Sequence, residues 1–81
     1  RVKMRFTNDM LDTVIDRFGS GNDLIYIFES DKRHFSVEVE IDVSDQFFAW
    51  ICGFRKKAKI INPPEVEEAF KQFLADITSR Y

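Results

Sequence analysis

The chain has 81 residues, 44% of them hydrophobic and nine of them Phe, which supports one packed core and is too short for two, since domains usually hold ~50–250 residues. A formal net charge of -2 excludes the broad positive field on which sequence-independent nucleic-acid binding depends, so any such contact must be local. The lone Cys52 excludes an internal disulfide and a cysteine-based metal site, and no apolar run approaches the roughly 18 residues of a membrane span.

From the N-terminus, Val2, Met4 and Phe6 alternate with Lys3 and Arg5, the period-two signal of a half-buried strand. Thr7 and Asn8 then offer a cap for a helix whose apolar stripe is Leu11, Val14, Ile15 and Phe18, with Gly19 as its stop. Ser20 to Asp23 is turn-rich, and the run Leu24 to Phe28 is apolar and β-prone on both faces. Past a charged connection from Glu29 to Arg33, the residues Phe35, Val37, Val39, Ile41 and Val43 alternate with Ser36, Glu38, Glu40 and Asp42, which predicts a long third strand.

Ser44 is placed to cap a second helix carrying Phe47, Trp50, Ile51 and Phe54 on one face, with Arg55, Lys56 and Lys57 gathered at its far end. Ala58 to Ile61 forms a short fourth strand. Asn62-Pro63-Pro64 interrupts it before a third helix with proline near its first turn and an apolar stripe of Val66, Phe70, Phe73, Leu74 and Ile77. The order β-α-β-β-α-β-α predicts an α+β, ferredoxin-like sandwich with an additional C-terminal helix, one domain over residues 1–81. In that topology the first and third strands are neighbours, which sets Lys3 and Arg5 beside Glu38 and Glu40.

Few residues here could carry chemistry. Gly19-Ser20-Gly21 follows a helix rather than a strand and lacks the Lys-Ser or Lys-Thr of a phosphate loop. His34, the sole histidine, sits by a hairpin near Asp31, which reads as a solvated turn. Cys52 reads as a buried thiol. Glu38, Glu40 and Asp42 read as a solvated strand face, and one His with one Cys assembles no nucleophilic set. No enzyme activity, cofactor or metal is therefore expected. The outward positions of the first and third strands are charged rather than aromatic, which speaks against an RNA-stacking sheet.

Two features point to partners. Arg55, Lys56, Lys57 and Lys59 form the one concentrated basic cluster, a candidate contact for nucleic acid or an anionic effector. The second strand has no polar face, and the third helix adds apolar surface to a sheet already covered by two helices. Ile25, Ile27, Phe70, Phe73 and Tyr81 are accordingly the candidate assembly contacts. The alternative is a small-molecule sensor with a pocket at a sheet or dimer interface. Glycines in the loop after the first strand would favour it, but that loop is Thr7-Asn8-Asp9.

Several of these residues also resemble a family pattern: Val2-x-Met4-x-Phe6, Arg17-Phe18-Gly19, Phe47-x-x-Trp50, Gly53-Phe54, Lys59-Ile60, Pro63-Pro64-x-Val66 and the closing Tyr81. In this order over nearly the whole chain, they are similar to the C-terminal extension found behind WYL domains in bacterial transcription factors. One departure is Arg55, which stands where such members often carry Gly. The resemblance implies a parent regulator with an N-terminal winged helix-turn-helix that reads DNA and a central WYL domain that senses the effector, both outside this chain. A start on Arg1 with strand-like sequence agrees with an upstream continuation. The implied role is a non-catalytic, cytoplasmic regulatory module that pairs regulator subunits into a homo-oligomer and couples effector sensing to dimer arrangement.

Overall fold

Strand β1 (Val2–Thr7) alternates buried with partly exposed residues along its whole length, the pattern its period-two sequence dictates. The computed structural model describes residues 1–19, 24–29 and 31–81, with 24–29 described through the backbone alone. Along the chain follow α1 (Leu11–Phe18), β2 (Leu24–Glu29), β3 (His34–Val39), α2 (Asp45–Cys52), β4 (Ala58–Asn62) and α3 (Pro64–Thr78), with one-turn 3-10 segments at Asn8–Met10 and Arg55–Lys57. The fold is α+β. Its four strands form one sheet in the order β2-β3-β1-β4, and every neighbouring pair is antiparallel.

The register aligns the core across the sheet. Val2, Met4 and Phe6 stand opposite Val39, Val37 and Phe35 on one side, while Met4 and Phe6 face Ile60 and Ala58 on the other. Val14 and Phe18 of α1 and Phe47, Phe48 and Ile51 of α2 bury into the same cluster, so both helices cover one face of the sheet. Full burial of each such side chain contributes roughly 1.5–3 kcal/mol. Trp50 joins the layers, with its ring centroid 5.4 Å from Phe18, 6.2 Å from Phe6 and 4.8 Å from Phe54. Arg17 lies over the Trp50 ring at 5.8 Å, a cation–π contact that closes the outer side of this aromatic group.

Several expectations are corrected. Helix α1 buries only Val14 and Phe18, whereas Leu11 and Ile15 are exposed, because eight residues of helix present one narrow stripe to the sheet. Gly19 ends α1 without a left-handed turn, since its φ is -71°. Its role is close approach, because a Cβ there would lie 2.6 Å from the Ile15 carbonyl oxygen. Strand β3 stops at Val39 rather than running to Val43: Val39 pairs with Val2 and Leu24, the first residues of its two neighbours, and beyond it no strand among the described residues offers a partner. Val43 is exposed, and Glu40 leaves the sheet, so the cross-strand partner of Arg5 is Ser36 and only Lys3 meets an acid, Glu38. The turn from Ser20 to Asp23, and with it the Gly19-Ser20-Gly21 motif, falls outside the described residues.

Helix α2 begins where Ser44 accepts a hydrogen bond from the Phe47 N–H at 3.2 Å, satisfying one of the donors left free at a helix start. It ends at Cys52, so Arg55, Lys56 and Lys57 form a separate 3-10 turn rather than its last turn. Arg55 takes a φ of 58°. This left-handed backbone costs an L-residue about 1–2 kcal/mol and suits glycine. Phe48, absent from the stripe expected of α2, is buried and turns toward α3, with centroids 5.4 Å from Phe70 and 5.6 Å from Phe73.

The turns at one end of the sheet are joined by charge. Lys57 Nζ lies 2.6 Å from Asp9 Oδ2, and Asp9 also accepts from the Thr7 hydroxyl. The Lys57 ammonium, and then the Thr7 hydroxyl, hold the Asp9 carboxyl below its ordinary value of 3.8.

Two outcomes follow for stability. Arg55→Gly relieves the left-handed strain at the cost of a freer unfolded chain, with a net gain of about 0.5–1 kcal/mol in urea unfolding, whereas Arg55→Val loses stability. The Asp9 carboxylate is lowered in the folded state, so its contribution is present above its ordinary value and disappears as pH falls through the lower folded value. Thermal unfolding from pH 5 down to pH 2 should therefore show a shallower acid loss for Asp9→Asn than for the parent chain.

Candidate interaction surfaces

Helix α3 opens with Pro64 at its first position and runs for 15 residues, four turns with room for two apolar flanks. The inner flank, Val66, Phe70 and Phe73, packs on the core cluster through Phe48. Phe70 and Phe73 stack on each other at 6.1 Å, so both candidate contacts are partly engaged inside the domain. The outer flank is different. Leu74 is 37% exposed and Ile77 45%, three residues apart on the helix, and Tyr81, just beyond the helix end, is fully open to solvent.

An open groove of about 780 Å³ runs between the start of α2 and the last turns of α3. Phe48, Phe73, Ile77 and Tyr81 supply its apolar part, while Asp45, Asp76 and Arg80 supply its charged rim. Gln72 Nε2 donates to Asp76 Oδ1 at 2.9 Å, which orients that carboxylate along the helix. Of the other candidate contacts, Ile25 lies where the β2–β3 register shifts, between Leu24 and Tyr26, and Ile27 pairs with Val37. Their side chains lie outside the described residues.

The structure divides the basic cluster. Lys57 is tied to Asp9. Arg55 and Lys56 are exposed on the 3-10 turn before β4. Lys59 lies within β4, opposite Arg5 and next to buried Ile60, so it occupies the sheet face away from the helices. The four cations are thus distributed over three environments.

At the hairpin that ends in β3, Asp31 accepts from the Arg33 N–H at 2.7 Å and lies 2.9 Å from His34 Nδ1. These two contacts, the backbone donor first, hold the Asp31 carboxyl below its ordinary value. The Asn8 N–H donates to the Arg33 carbonyl at 2.9 Å, and Asn8 Nδ2 donates to that of Lys32 at 3.0 Å. His34 therefore belongs to a knit turn. Among the described residues no three His, Cys, Asp or Glu side chains gather as metal ligands, and no helix is long and apolar enough to cross a membrane.

Two of these features carried no sequence signal. Phe48 was hidden because it follows Phe47, and only the position of α3 gives both neighbours a buried side. The grouping of Asp45 with Asp76 and Arg80 depends on how α3 crosses α2, which no local spacing encodes.

No curated protein and no solved structure matched the chain. The family model described as the WCX domain matches residues 1–77, a span that takes in every strand and helix up to the last turn of α3. The chain belongs to the WCX domain family, the regulatory C-terminal extension of WYL-domain regulators.

Proposed function

We propose that this domain is the non-catalytic assembly module of a bacterial DNA-binding regulator, and that it pairs two subunits through the outer flank of α3. The observation that carries the reading is the exposure of Leu74 and Ile77 on a helix whose inner flank is already packed, with Tyr81 open just beyond its end. A two-fold pairing suits this flank. In a two-fold pairing each copy presents the same apolar residues and the same acid and base, Asp76 and Arg80, to the other. Such an interface is self-complementary in both charge and apolarity.

The parent protein supplies the remaining functions in this reading: a helix-turn-helix domain contacts DNA in the cytoplasm, and a WYL domain senses the effector. The extension then relays effector binding by favouring one of two subunit arrangements. The order β2-β3-β1-β4, with every neighbour antiparallel, supports a ferredoxin-like description with one added helix. A small-molecule pocket is the second reading. The groove beside Phe48 and Phe73 favours it, because a dimer formed along α3 would roof that groove.

Sedimentation equilibrium over a wide concentration range tests the assembly. The chain should reach a dimer that Ile77→Glu dissociates while leaving the circular dichroism spectrum unchanged. Phe73→Glu should instead unfold the domain, because Phe73 packs on Phe48. A parent chain that stays monomeric at every concentration, or a dimer that survives Ile77→Glu, would overturn pairing through α3.

A further inference from the structure

The open face of the sheet concentrates positive charge on a chain whose net charge is -2. Among the described strand residues and Arg1, the cations here are Arg1, Lys3, Arg5 and Lys59, and the carboxylate is Glu38. Glu38 is engaged at the outer end of this patch: it is the register partner of Lys3, and its Oε2 lies 3.9 Å from Arg1 Nη1. Toward the middle the pattern changes. Arg5 stands between Ser36 on β3 and Lys59 on β4, and among the described residues neither Arg5 nor Lys59 meets a carboxylate.

Two like charges directly opposite each other on antiparallel strands repel. The isolated domain therefore carries an unfavourable pair at the junction of β1 and β4. Arg5 is also strained in a second, independent respect: its Nε is enclosed and among the described residues meets no hydrogen-bond partner, although an enclosed donor ordinarily finds an acceptor. Its register partner Ser36 is buried as well, so the guanidinium is held against the sheet rather than swinging freely in water. A guanidinium held in place beside an exposed ammonium is an arrangement that adjacent carboxylates complete by neutralising both charges.

We propose that the β1–β4 half of the open sheet face, centred on Arg5 and Lys59, docks an acidic protein segment that presents adjacent carboxylates. This surface lies across the sheet from the core, separate from the flank of α3. A protein carboxylate fits better than a nucleic-acid backbone for two reasons. Glu38 sits within the patch and would repel a continuous run of phosphates. The outward positions of β1 and β4 also offer no aromatic ring for a base to stack on, since they hold Lys3, Arg5, Thr7 and Lys59.

The probe is hexaglutamate, titrated into the 15N-labelled chain. The expected result is a set of saturable amide shifts confined to Arg5, Ser36, Lys59 and their neighbours, with affinity reduced about tenfold in Lys59→Gln. Lys59→Glu supplies the second readout. It should abolish the shifts and raise the thermal midpoint by about 1–5 °C, because it replaces a repulsive cross-strand pair with an attractive one. A lowered midpoint in Lys59→Glu would overturn the proposal, as would shifts that are absent or that map to Arg55 and Lys56. Tighter binding of hexathymidylate at the same residues would overturn it in favour of a nucleic-acid surface.

Discussion

Strand β1 holds this domain together through its register. It is hydrogen-bonded on both edges, to β3 and to β4, and its alternate residues Val2, Met4 and Phe6 are among the most deeply buried in the chain. With a side-chain period of two, a slip of one residue would carry Lys3 and Arg5 into the core and put Met4 and Phe6 in water. Burial of Met4 and Phe6 alone contributes roughly 3–6 kcal/mol, comparable to the whole net stability of a small domain. The register is therefore fixed by burial, and the charged face is its consequence. Lys3, Arg5 and Lys59 share one surface because Met4, Phe6 and Ile60 must share the other.

The helices attach to that sheet by aromatic contact more than by backbone pairing. Trp50 spans α1, β1 and the turn after α2, while Phe48 spans α2 and α3. Phe48 explains why α3 uses its aromatic residues internally. Phe70 and Phe73 complete a three-ring cluster with it, which leaves the aliphatic residues Leu74 and Ile77, with Tyr81, as the surface open to association. The two Phe side chains of α3 thus support the fold, and its aliphatic Leu74 and Ile77 stay exposed.

The strands were legible wherever the alternation was paired on both sides. Phe35 to Val39 met the expectation because β1 and β2 run beside it, whereas Ile41 and Val43 continue the same alternation where no described residue pairs with them and do not extend the sheet. Alternation marks a residue pattern, and a strand also requires a neighbour to satisfy its N–H and C=O groups. The cap at Ser44 and the start of α3 at Pro64 were legible because they depend on local chemistry. The basic cluster was not, because contiguity in sequence says nothing about side. Lys57 and Lys59 are two residues apart, yet one bonds the loop after β1 and the other lies on the open sheet. Arg55 is the instructive intermediate. Its departure from the family's glycine was visible in the sequence, and the left-handed φ at that residue supplies the physical reason for the glycine.

Membership in a family of regulatory extensions explains how so small a domain can carry unfavourable features. A freestanding domain gains nothing from an enclosed Arg5 Nε without a partner among the described residues or from Lys59 set opposite a second cation, and selection for stability alone would replace either residue. Under the proposed reading the like-charged pair serves as a contact point within a larger regulator, because its cost is recovered when an acidic surface covers it. The two faces then divide the work by chemistry. The α3 flank is apolar with one acid and one base, so it suits an identical copy. The sheet face is mostly of one sign, so it repels its own copy, and in the proposal it takes an acidic partner. A domain with both surfaces can join two subunits on one side while remaining free on the other to engage a second element, which is the geometry that coupling between sites requires.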